Sequence, residues 1–371
     1  MRVLVLNTGS SSIKGSIVDS VDASVVAKQE LSLGADASQQ RGVDQAVRRL
    51  IRTLDASAAG VGAVGHRVVH GGERFRSAVR VDARVLGQIE QLGDFAPLHN
   101  RVAALGIRAA QTALPDRPQV AAFDTAFHAT LAEEEYRYPV PWPWQREYGI
   151  RRFGFHGLSV EWSVRRASEL LRIPPSDLTL VVAHLGSGCS VTAVLNGKSV
   201  ATSMGLTPME GLMMGTRAGS IDPGILLYML RTRRAGWKEL EGALDHESGL
   251  LGVSGRRGGM REIEKAAVRG NRRAQLAIGM FIGRAAAGIA AAATALSRLD
   301  ALVFTGGIGE HAAAIRSAIV GRLAPLQVAA VPPREVASDG VISSRAEGIP
   351  VLRIEAREDA VIAREVAALI G

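Results

Sequence analysis

Two short polar stretches interrupt apolar, strand-like runs of the chain. "NTGSSS" (residues 7–12) lies between "VLVL" and a second strand-like run at 16–18, and "HLGSGC" (184–189) lies between two similar runs. The two stretches match position for position, with Asn7 opposite His184. Their glycines let the backbone approach a ligand closely, and their hydroxyl and backbone N–H groups are donors for an anion. We therefore predict a phosphate-holding hairpin in each half of the chain.

A third candidate is the glycine turn of "ALVFTGGIGEH" (301–311). An apolar strand runs into Gly306-Gly307-Ile308-Gly309, and a helix is predicted to open at once. A helix N-terminus offers unpaired N–H groups and a positive dipole end to an anion. The same turn, continued to Ala312, also fits the looser dinucleotide fingerprint, and a plain strand-to-helix turn is the alternative without a ligand.

Other motif matches fail on context. "GVGAVG" (60–65) precedes a predicted strand instead of following one. "NGKS" (196–199) has the tail of a phosphate-binding loop, but Thr192 stands where that motif needs glycine. On the strand that "HRVVH" predicts, His66 and His70 would lie about 13 Å apart, which is too far for one zinc ion. No zinc site is predicted.

The elements that must position these turns alternate between strands and helices. The connection at 138–149 is broken by prolines and indicates a hinge or a domain border. The second hairpin continues through the Asn196-Gly197 turn into a third strand. The other predicted elements are helix Arg101–Leu114, strand Gln119–Phe123, helices at 223–234 and about 272–298, strand Ala301–Thr305, strand Val351–Ile354 and helix Asp359–Ile370. We predict an α/β protein with two related halves.

Bulk properties favour a cytosolic protein with small anionic ligands. A chain of 371 residues suggests about two domains. The lone Cys189 excludes an intrachain disulfide and favours the cytoplasm, and the N-terminal run lacks a secretory pattern. The apolar segment Gln275–Leu296 carries Arg284 mid-span, so we predict a buried or subunit-facing helix and no membrane span. Net charge is +8, but scattered basic residues and 4% aromatic residues favour small anions over nucleic acid.

Several blocks, taken together, resemble the acetate kinase family over essentially the whole chain. They occur in the family's order: "VLNTGSSSIK", "GHRVVHGGE", "APLHN", "FDTAFH", "FGFHG", "HLGSGCS", "TPMEGLMMGTRAGSIDP" and "FTGGIGEH". The resemblance implies the duplicated two-domain actin-like (ribonuclease H-like) fold, with ATP in the cleft between the domains. The expected N-terminal domain is 1–125 plus 359–371, and the expected nucleotide-binding and dimerisation domain is 126–358.

The resemblance implies reversible, Mg²⁺-dependent transfer of the γ-phosphoryl group of ATP to acetate, which gives ADP and acetyl phosphate in a homodimeric enzyme. Two anions must be brought together, so cations are needed more than a general base. Arg67 and Arg217 match the family arginines that hold the carboxylate and the migrating phosphoryl group, for which a guanidinium fork is suited. His156 matches the family's transition-state donor, and Asp124 matches a catalytic aspartate.

The remaining implied site residues fall into three groups. Asn7 and Glu358 match the Mg²⁺ positions, and the wall around the substrate methyl group falls on Val69, Leu98, Phe155 and Pro208. Val69 is expected on the strand of Arg67, with both side chains on one face. The implied nucleotide contacts are Ser10, Ser12, Lys14, His184, Leu185, Gly186, Ser187, Gly188, Gly259, Met260, Arg261, Gly307, Ile308, Gly309, Glu310 and His311.

Departures from the family pattern concern the nucleotide. Ser187 and His311 stand where asparagine is common, Gly259 stands where an acidic residue is common, and "IEARED" replaces the usual run before Glu358. A propionate kinase with a larger pocket is the alternative within the family. An ATP-driven switch would not need Arg67, His156 and Arg217 together, and a dehydrogenase lacks the expected acidic residue about twenty positions after the glycine turn.

Overall fold

The computed structural model describes residues 1–9, 12–33, 39–54, 60–96, 99–233, 235–344 and 348–371. The chain divides into two compact units. Unit 1 comprises Met1–Ala129, Phe155–Trp162 and Arg357–Gly371, and unit 2 comprises Thr130–Gly154 and Ser163–Ala356. Phe155–Trp162, which includes His156, therefore groups with the N-terminal residues. The domain bounds expected from the sequence remain a prediction.

Unit 1 is built on a six-stranded mixed sheet. Its strands are β1 (Arg2–Thr8), β2 (Ser12–Asp19), β3 (Val25–Ser32), β4 (Val61–Val68), β5 (Val79–Arg80) and β6 (Gln119–Phe123). Their order is β3-β2-β1-β4-β6-β5. Strands β1, β4 and β6 are parallel neighbours, whereas β2, β3 and β5 join antiparallel. The carboxyl ends of the three parallel strands therefore meet at one edge.

Helices cover both faces of the sheet in unit 1. They are α1 (Gln40–Thr53), α2 (Ala83–Gln91), α3 (Asn100–Ala113) and α14 (Glu358–Ile370). One core joins Leu4, Leu6, Ile13 and Ile17 of the sheet to α1 and α3. The opposite face joins Val3, Val5, Val120 and Ala122 to Val361, Ile362, Ala363 and Val366 of α14. Alternation along each strand thus assigns one set of side chains to α14.

Unit 2 repeats this plan. Its strands are β7 (Thr179–Leu185), β8 (Cys189–Leu195), β9 (Lys198–Thr202), β10 (Ala301–Thr305), β11 (Gly340–Val341) and β12 (Val351–Arg353), in the order β11-β12-β10-β7-β8-β9. Again three parallel strands (β7, β10 and β12) are flanked by antiparallel ones. The two sheets have the same topology, strand for strand, so the predicted duplication is confirmed.

The other helices lie mostly in unit 2. They are α4 (Glu133–Tyr136), α5 (Trp142–Tyr148), α6 (Gly157–Leu171), α7 (Pro223–Thr232), α8 (Trp237–His246), α9 (Gly249–Ser254), α10 (Gly259–Val268), α11 (Arg272–Ala293), α12 (Gly306–His311) and α13 (Ala313–Gly321). The first residues of α6 belong to unit 1. Short 3₁₀ turns lie at Leu92–Asp94, Ala126–Thr130, Pro175–Asp177 and Ala324–Leu326.

Some element boundaries differ from the sequence-based expectation. β2 begins at Ser12, because Thr8 pairs with Ile13 and the Gly9 N–H donates to the Ser12 carbonyl. "GVGAVG" lies largely inside β4, where Gly65 leaves room for Ile362 and Val366 of α14. Gly65 therefore allows α14 to pack closely on β4. A glycine motif in the sequence does not distinguish this role from that of a loop.

Helix α11 is long and apolar enough to cross a membrane by length and composition alone. Its buried residues are Ala274, Ala277, Phe281, Ile282, Ala285, Ala286, Ile289 and Ala292. They recur at helical spacing, and the helix packs against α9, α10, α13 and β8. Leu276 and Met280 remain 58% and 40% exposed. This agrees with the expectation of a buried or subunit-facing helix.

Candidate active site

Four predicted site residues share one face and one edge of the sheet in unit 1. Leu6 pairs with His66 in the parallel register of β1 and β4, so Asn7 and Arg67 each follow this pair. Asp124 follows β6, where its N–H donates to the Val68 carbonyl. By alternation these side chains point to the α14 face, and Glu358 is the first residue of that helix. Distant parts of the sequence therefore meet at this edge.

Arg67 is held by two carboxylates. Its Nη2 donates to Asp124 Oδ2 at 2.6 Å and its Nε to Asp124 Oδ1 at 3.1 Å. The same Nε lies 3.2 Å from Glu358 Oε2. Within the described part of the chain, no residue hydrogen-bonds Nη1 of Arg67. The guanidinium is thus oriented on one side and retains donors for an anion on the other.

Burial and charge shift the pKa values of this cluster. Burial raises the pKa of Asp124 to about 6, although Arg67 lowers it, and the Glu358 carboxylate adds a further upward contribution. Burial alone would lower the pKa of Arg67, but Asp124 and Glu358 raise it above its ordinary value. Two close carboxylates with one arginine leave negative charge that a further cation would neutralise.

His156 reaches the same neighbourhood through its backbone. It has a positive φ of 59° at the start of α6. The next residue, Gly157, donates its N–H to the Asp124 carbonyl at 2.8 Å. A Cβ on Gly157 would collide with that carbonyl oxygen, so glycine is required. Neither the strained histidine nor the glycine contact is visible in the sequence.

The predicted methyl wall is only partly assembled in unit 1. β4 ends at Val68, so Val69 lies just past the strand, and the expectation that Val69 is part of the strand of Arg67 is wrong. Phe155 is 1% exposed, and its ring packs edge-on against the His70 ring with the centroids 5.5 Å apart. Phe155 is therefore a buried packing partner of the segment after β4. Leu98 lies outside the described residues.

Asn100 is a supporting residue that the sequence reasoning missed. Its Oδ1 accepts from the His70 N–H at 3.0 Å and its Nδ2 donates to the His70 carbonyl at 2.8 Å. This buried amide therefore fixes the chain just after Val69. The "APLHN" block contained Asn100, but nothing in the spacing indicated its partner.

The first hairpin presents polar groups on the same sheet face. Its Gly9 N–H donates to the Ser12 carbonyl at 2.9 Å. Ser12 donates to Glu30 at 2.8 Å, and Lys14, which pairs with Asn7 across the hairpin, lies 3.7 Å from Glu30. The Lys14 side chain is 61% exposed, so this ion pair is weak. Ser10 lies outside the described residues.

In unit 2, the second hairpin lies beside the glycine turn. Gly186 donates to the Gly188 carbonyl at 2.9 Å. A Cβ on Gly306 (φ 77°) would lie 2.9 Å from the Leu185 carbonyl oxygen and 3.1 Å from His184 Nε2, so only glycine fits there. A Cβ on Gly307 would meet no atom within 4 Å, so that N-terminal turn of α12 is open. These features suit a phosphate held by backbone N–H groups.

Arg217 is oriented by Asp245, a residue that the sequence reasoning missed. Nε of Arg217 donates to Asp245 Oδ1 at 2.6 Å, and Nη1 donates to the Pro208 carbonyl at 3.3 Å. In the described residues, Nη2 has no hydrogen-bond partner. The Gly215 N–H donates to the Ser187 carbonyl at 2.9 Å, which ties the loop of Arg217 to the second hairpin.

The other predicted nucleotide residues differ in availability. Side chains of Leu185 and Met260 are buried in the core, so only their backbone groups are accessible to a ligand. Glu310 Oε1 accepts from the Ala356 N–H at 3.0 Å, which makes it a structural residue here. Arg261, Ser187 and His311 are exposed, and Ile308 and Gly309 continue the first turn of α12. Gly259 has a φ of 75°, a conformation that favours glycine.

The glycine turn does not have the form that a dinucleotide site requires. Helix α12 ends at His311, and the non-helical residue Ala312 separates it from α13. In the dinucleotide fingerprint the third glycine or alanine position serves close packing of the helix on the strand, whereas Ala312, which holds that position here, lies between α12 and α13. The structure therefore disfavours the dehydrogenase alternative.

The oxygen donors Asn7, Asp124 and Glu358 are of the type that Mg²⁺ prefers. Among the described residues there is no group of three His, Cys, Asp or Glu side chains that would hold a metal ion alone. Mg²⁺ usually keeps several waters and binds one or two carboxylates plus substrate phosphates. The sparse donor set fits an ion that arrives with its nucleotide.

His66 and His70 form no zinc site. His66 lies in β4, and its Nε2 is 2.8 Å from Gln119 Oε1. His70 Nδ1 accepts from the Gly72 N–H at 2.9 Å. Both imidazoles therefore have hydrogen-bond partners within unit 1.

Comparison with known proteins supports these observations over the full length. The family described as "Acetokinase family" matches residues 2–364. An acetate kinase of Deinococcus radiodurans is 45% identical, with 100% of this chain and 98% of the relative covered. An acetate kinase of Dictyoglomus thermophilum is 40% identical, with complete coverage of both chains.

Solved structures show the same fold. A propionate kinase from Francisella tularensis superposes with a TM-score of 0.91 at 36% identity, and both chains are covered completely. An acetate kinase from Porphyromonas gingivalis gives a TM-score of 0.89 at 32% identity, again with full coverage. The predicted two-domain actin-like α/β fold is confirmed. With its motifs, its duplicated sheets and its relatives in agreement, this chain belongs to the acetokinase family.

Proposed function

We propose that this protein is an acetate kinase that transfers the γ-phosphoryl group of ATP reversibly to acetate, giving acetyl phosphate and ADP. The observation that carries the proposal is Arg67, a guanidinium fixed by Asp124 and Glu358 with Nη1 left for an anion. Family membership supports a phosphotransferase, and the curated relatives named above are acetate kinases, which favours acetate over propionate.

The assigned roles follow from charge. Acetate is already ionised at neutral pH, so the enzyme must bring two anions together and stabilise the charge that develops on the migrating group. Arg67 holds the carboxylate, and Arg217 holds the phosphoryl group with its unpaired Nη2. His156 donates to the phosphoryl oxygens, and Asp124 orients Arg67.

The nucleotide is assigned to the backbone of unit 2. His184, Gly186, Ser187 and Gly188 of the second hairpin hold phosphates together with Gly307–His311. Gly259–Arg261 contact the adenosine end, and Ser10, Ser12 and Lys14 complete the phosphate contacts from the first hairpin.

Mg²⁺ is assigned to Asn7 and Glu358, with Asp124 beside them. When bound, the ion neutralises phosphate charge and aligns the transferring group. The residues themselves supply oxygen donors and hold Arg67 in its orientation. Glu358 therefore has two partners in this proposal, the ion and the guanidinium.

We also propose a cytoplasmic homodimer that associates through unit 2. None of the residues of α7 is buried, although Ile225, Leu227, Tyr228 and Leu230 are apolar and 45% to 64% exposed. Such an apolar helix is typical of a surface covered by a second copy. Leu276 and Met280 of α11 are further exposed apolar residues of unit 2. Leu227→Asp should shift the molar mass measured by light scattering to that of a monomer.

The test of the reaction is product analysis. The protein is incubated with Mg-ATP and acetate, propionate or butyrate in parallel, and acyl phosphate is trapped with hydroxylamine. We expect the largest yield of hydroxamate with acetate, together with an equal amount of ADP. ADP release without hydroxamate would contradict the proposal and indicate an ATPase or a switch.

A further inference from the structure

A long loop in unit 2 carries Pro208 and leads to Arg217. Strand β9 ends at Thr202 and the next helix begins at Pro223, so the intervening backbone has no regular ladder to satisfy its polar groups. Buried backbone N–H and C=O groups need partners, and side chains must supply them where secondary structure does not. Several partners of the first part of this loop come from the segment at 138–154.

Arg152 binds the start of this loop. Its Nη1 donates to the carbonyls of Thr202, Ser203 and Met204 at 3.2, 3.1 and 3.0 Å. The next residue, Phe153, donates its N–H to the Gly205 carbonyl at 3.0 Å. One guanidinium nitrogen thus satisfies three consecutive carbonyls and ties the start of the loop to Arg152.

Tyr138 and Glu210 bind the second part of the loop. Tyr138 Oη accepts from the Leu206 N–H at 3.0 Å and donates to Glu210 Oε2. Glu210 Oε1 accepts from Arg152 Nη2 at 2.8 Å. Burial raises the pKa of Tyr138 well above its ordinary value, with Glu210 adding to the shift, so the phenol stays a donor. A Cβ on Gly205 would collide with both Glu210 and Tyr138, so the fit is close.

The contacts of Tyr138, Arg152 and Glu210 hold the loop on both sides of Pro208. Pro208 lies between the anchored Leu206 and Glu210, and its carbonyl accepts from Arg217 Nη1 at 3.3 Å. Displacement of the loop would move both the proposed wall of the acyl pocket and one of the two groups that orient Arg217.

We propose that Glu210 is a positioning residue for the acyl-phosphate end of the site, acting through Arg152 and Tyr138 to place Pro208 and Arg217. The inference rests on the proposed acetate kinase activity. Glu210 affects the use of acetate and the discrimination between acyl chain lengths, and it leaves the affinity for the nucleotide unchanged.

The test compares Glu210→Gln with Glu241→Gln in the full-length enzyme. Glu241 is exposed on α8 and makes no ion pair among the described residues, so it is a matched control. We expect Glu210→Gln to lower kcat/KM for acetate by about tenfold, because a small misplacement of a transition-state donor is costly. The KM for ATP should change less than twofold, and the preference for acetate over propionate should shrink. Glu241→Gln should match the wild type.

Two outcomes would overturn the inference. One is a Glu210→Gln enzyme with the acetate kinetics and chain-length preference of the wild type. The other is an equal loss of affinity for ATP and acetate, which would indicate general disruption. If Glu210→Gln does not fold, Tyr138→Phe decides by the same criteria. A wild type that makes no acetyl phosphate would instead contradict the proposed function, and this is seen before any variant is measured.

Discussion

The two units have sheets of the same topology but carry different chemistry at equivalent strand ends. In unit 1, Arg67 is the penultimate residue of β4 and Asp124 directly follows β6. In unit 2, the equivalent strand β10 ends in Thr305 and runs into Gly306. Unit 1 therefore has charged side chains at these strand ends, and unit 2 has a glycine turn with an accessible backbone. The sheet topology therefore fixes where residues at the strand ends lie, whereas the types of those residues decide which ligand chemistry is present.

The two arginines differ in the same way. Arg67 lies on a central strand, and Asp124, its main partner, is 1% exposed. Arg217 lies in a loop and depends on Asp245 and on the Pro208 carbonyl. The position of Arg67 is therefore set by the sheet, while that of Arg217 is set by a side-chain network that single substitutions can loosen.

The largest expected effect is the loss of either arginine. Arg67→Ala and Arg217→Ala should each lower kcat by more than about a hundredfold, which is the scale for removal of a buried transition-state donor. Steady-state kinetics with Mg-ATP and acetate measure this, with Arg108→Ala on the surface of α3 as the control. Turnover close to that of the wild type in either variant would remove that arginine from the site.

Stability should separate the two arginine variants. Arg67→Ala leaves the buried Asp124 without its closest cation, so its unfolding free energy should fall by about 3 kcal/mol. Arg217→Ala should cost less, because Asp245 is more exposed. Urea unfolding measures both, and equal losses would mean that burial of the partner does not distinguish the units.

Acidification should affect buried groups of unit 1 with opposite signs. Burial lowers the pKa of His66 to about 4, although its hydrogen bond to Gln119 opposes the shift. Below pH 6.5 the unfolded chain binds a proton at His66 that the folded chain binds only near pH 4, so stability falls over this range. Burial raises the pKa of Glu365 to about 7, with Glu161 adding to the shift. Its protonation in the folded state therefore increases stability as pH falls from 7 to 4.5.

Replacement by glutamine should remove each contribution, about 3 kcal/mol in either case. Between pH 7.5 and 4.5, His66→Gln should lose less stability than the wild type, and Glu365→Gln should lose more. Urea unfolding across this range measures the difference. Parallel pH curves for all three proteins would show that neither group titrates as its burial implies.

Acyl-chain preference should change by a smaller factor. One methylene in a fitted pocket is worth about 10- to 200-fold, and we expect acetate to exceed propionate in kcat/KM by about tenfold. Val69→Ala should improve propionate relative to acetate, mainly through KM. Because Val69 lies past the end of β4, an unchanged preference would assign the wall to Pro208 and the Glu210 network in unit 2. A wild type that prefers propionate would correct the substrate but not the reaction.

The smallest expected effect concerns the nucleotide. Ser187 and His311 are exposed and Gly259 has no side chain, so contacts to the base should be few. We expect GTP to serve within about tenfold of ATP, since one hydrogen bond is worth about 1.4 kcal/mol or less. Parallel kinetics with both nucleotides measure this. A preference of several hundredfold for ATP over GTP would mean that backbone groups distinguish adenine from guanine.

Local pattern and composition determined much of this protein. The alternating apolar runs and the small polar turns predicted both hairpins, and their repetition predicted two related halves, because turn chemistry and strand periodicity are local properties. The order of the blocks identified the family and predicted the site residues Arg67, Asp124, His156 and Arg217. The predicted strand ended at His70, two residues past the observed end of β4, since nothing local distinguishes a strand's last residue from the bend after it.

Only the tertiary structure decided which groups act on one another. Arg67, Asp124 and Glu358 meet because three parallel strands and the last helix share one sheet edge, and no spacing along the chain encodes that contact. Asp245 beside Arg217, Asn100 beside His70 and Glu210 between Tyr138 and Arg152 have the same origin. Partners that are far apart in sequence are chosen by packing and by the need to satisfy buried polar groups, and both act on the folded chain alone.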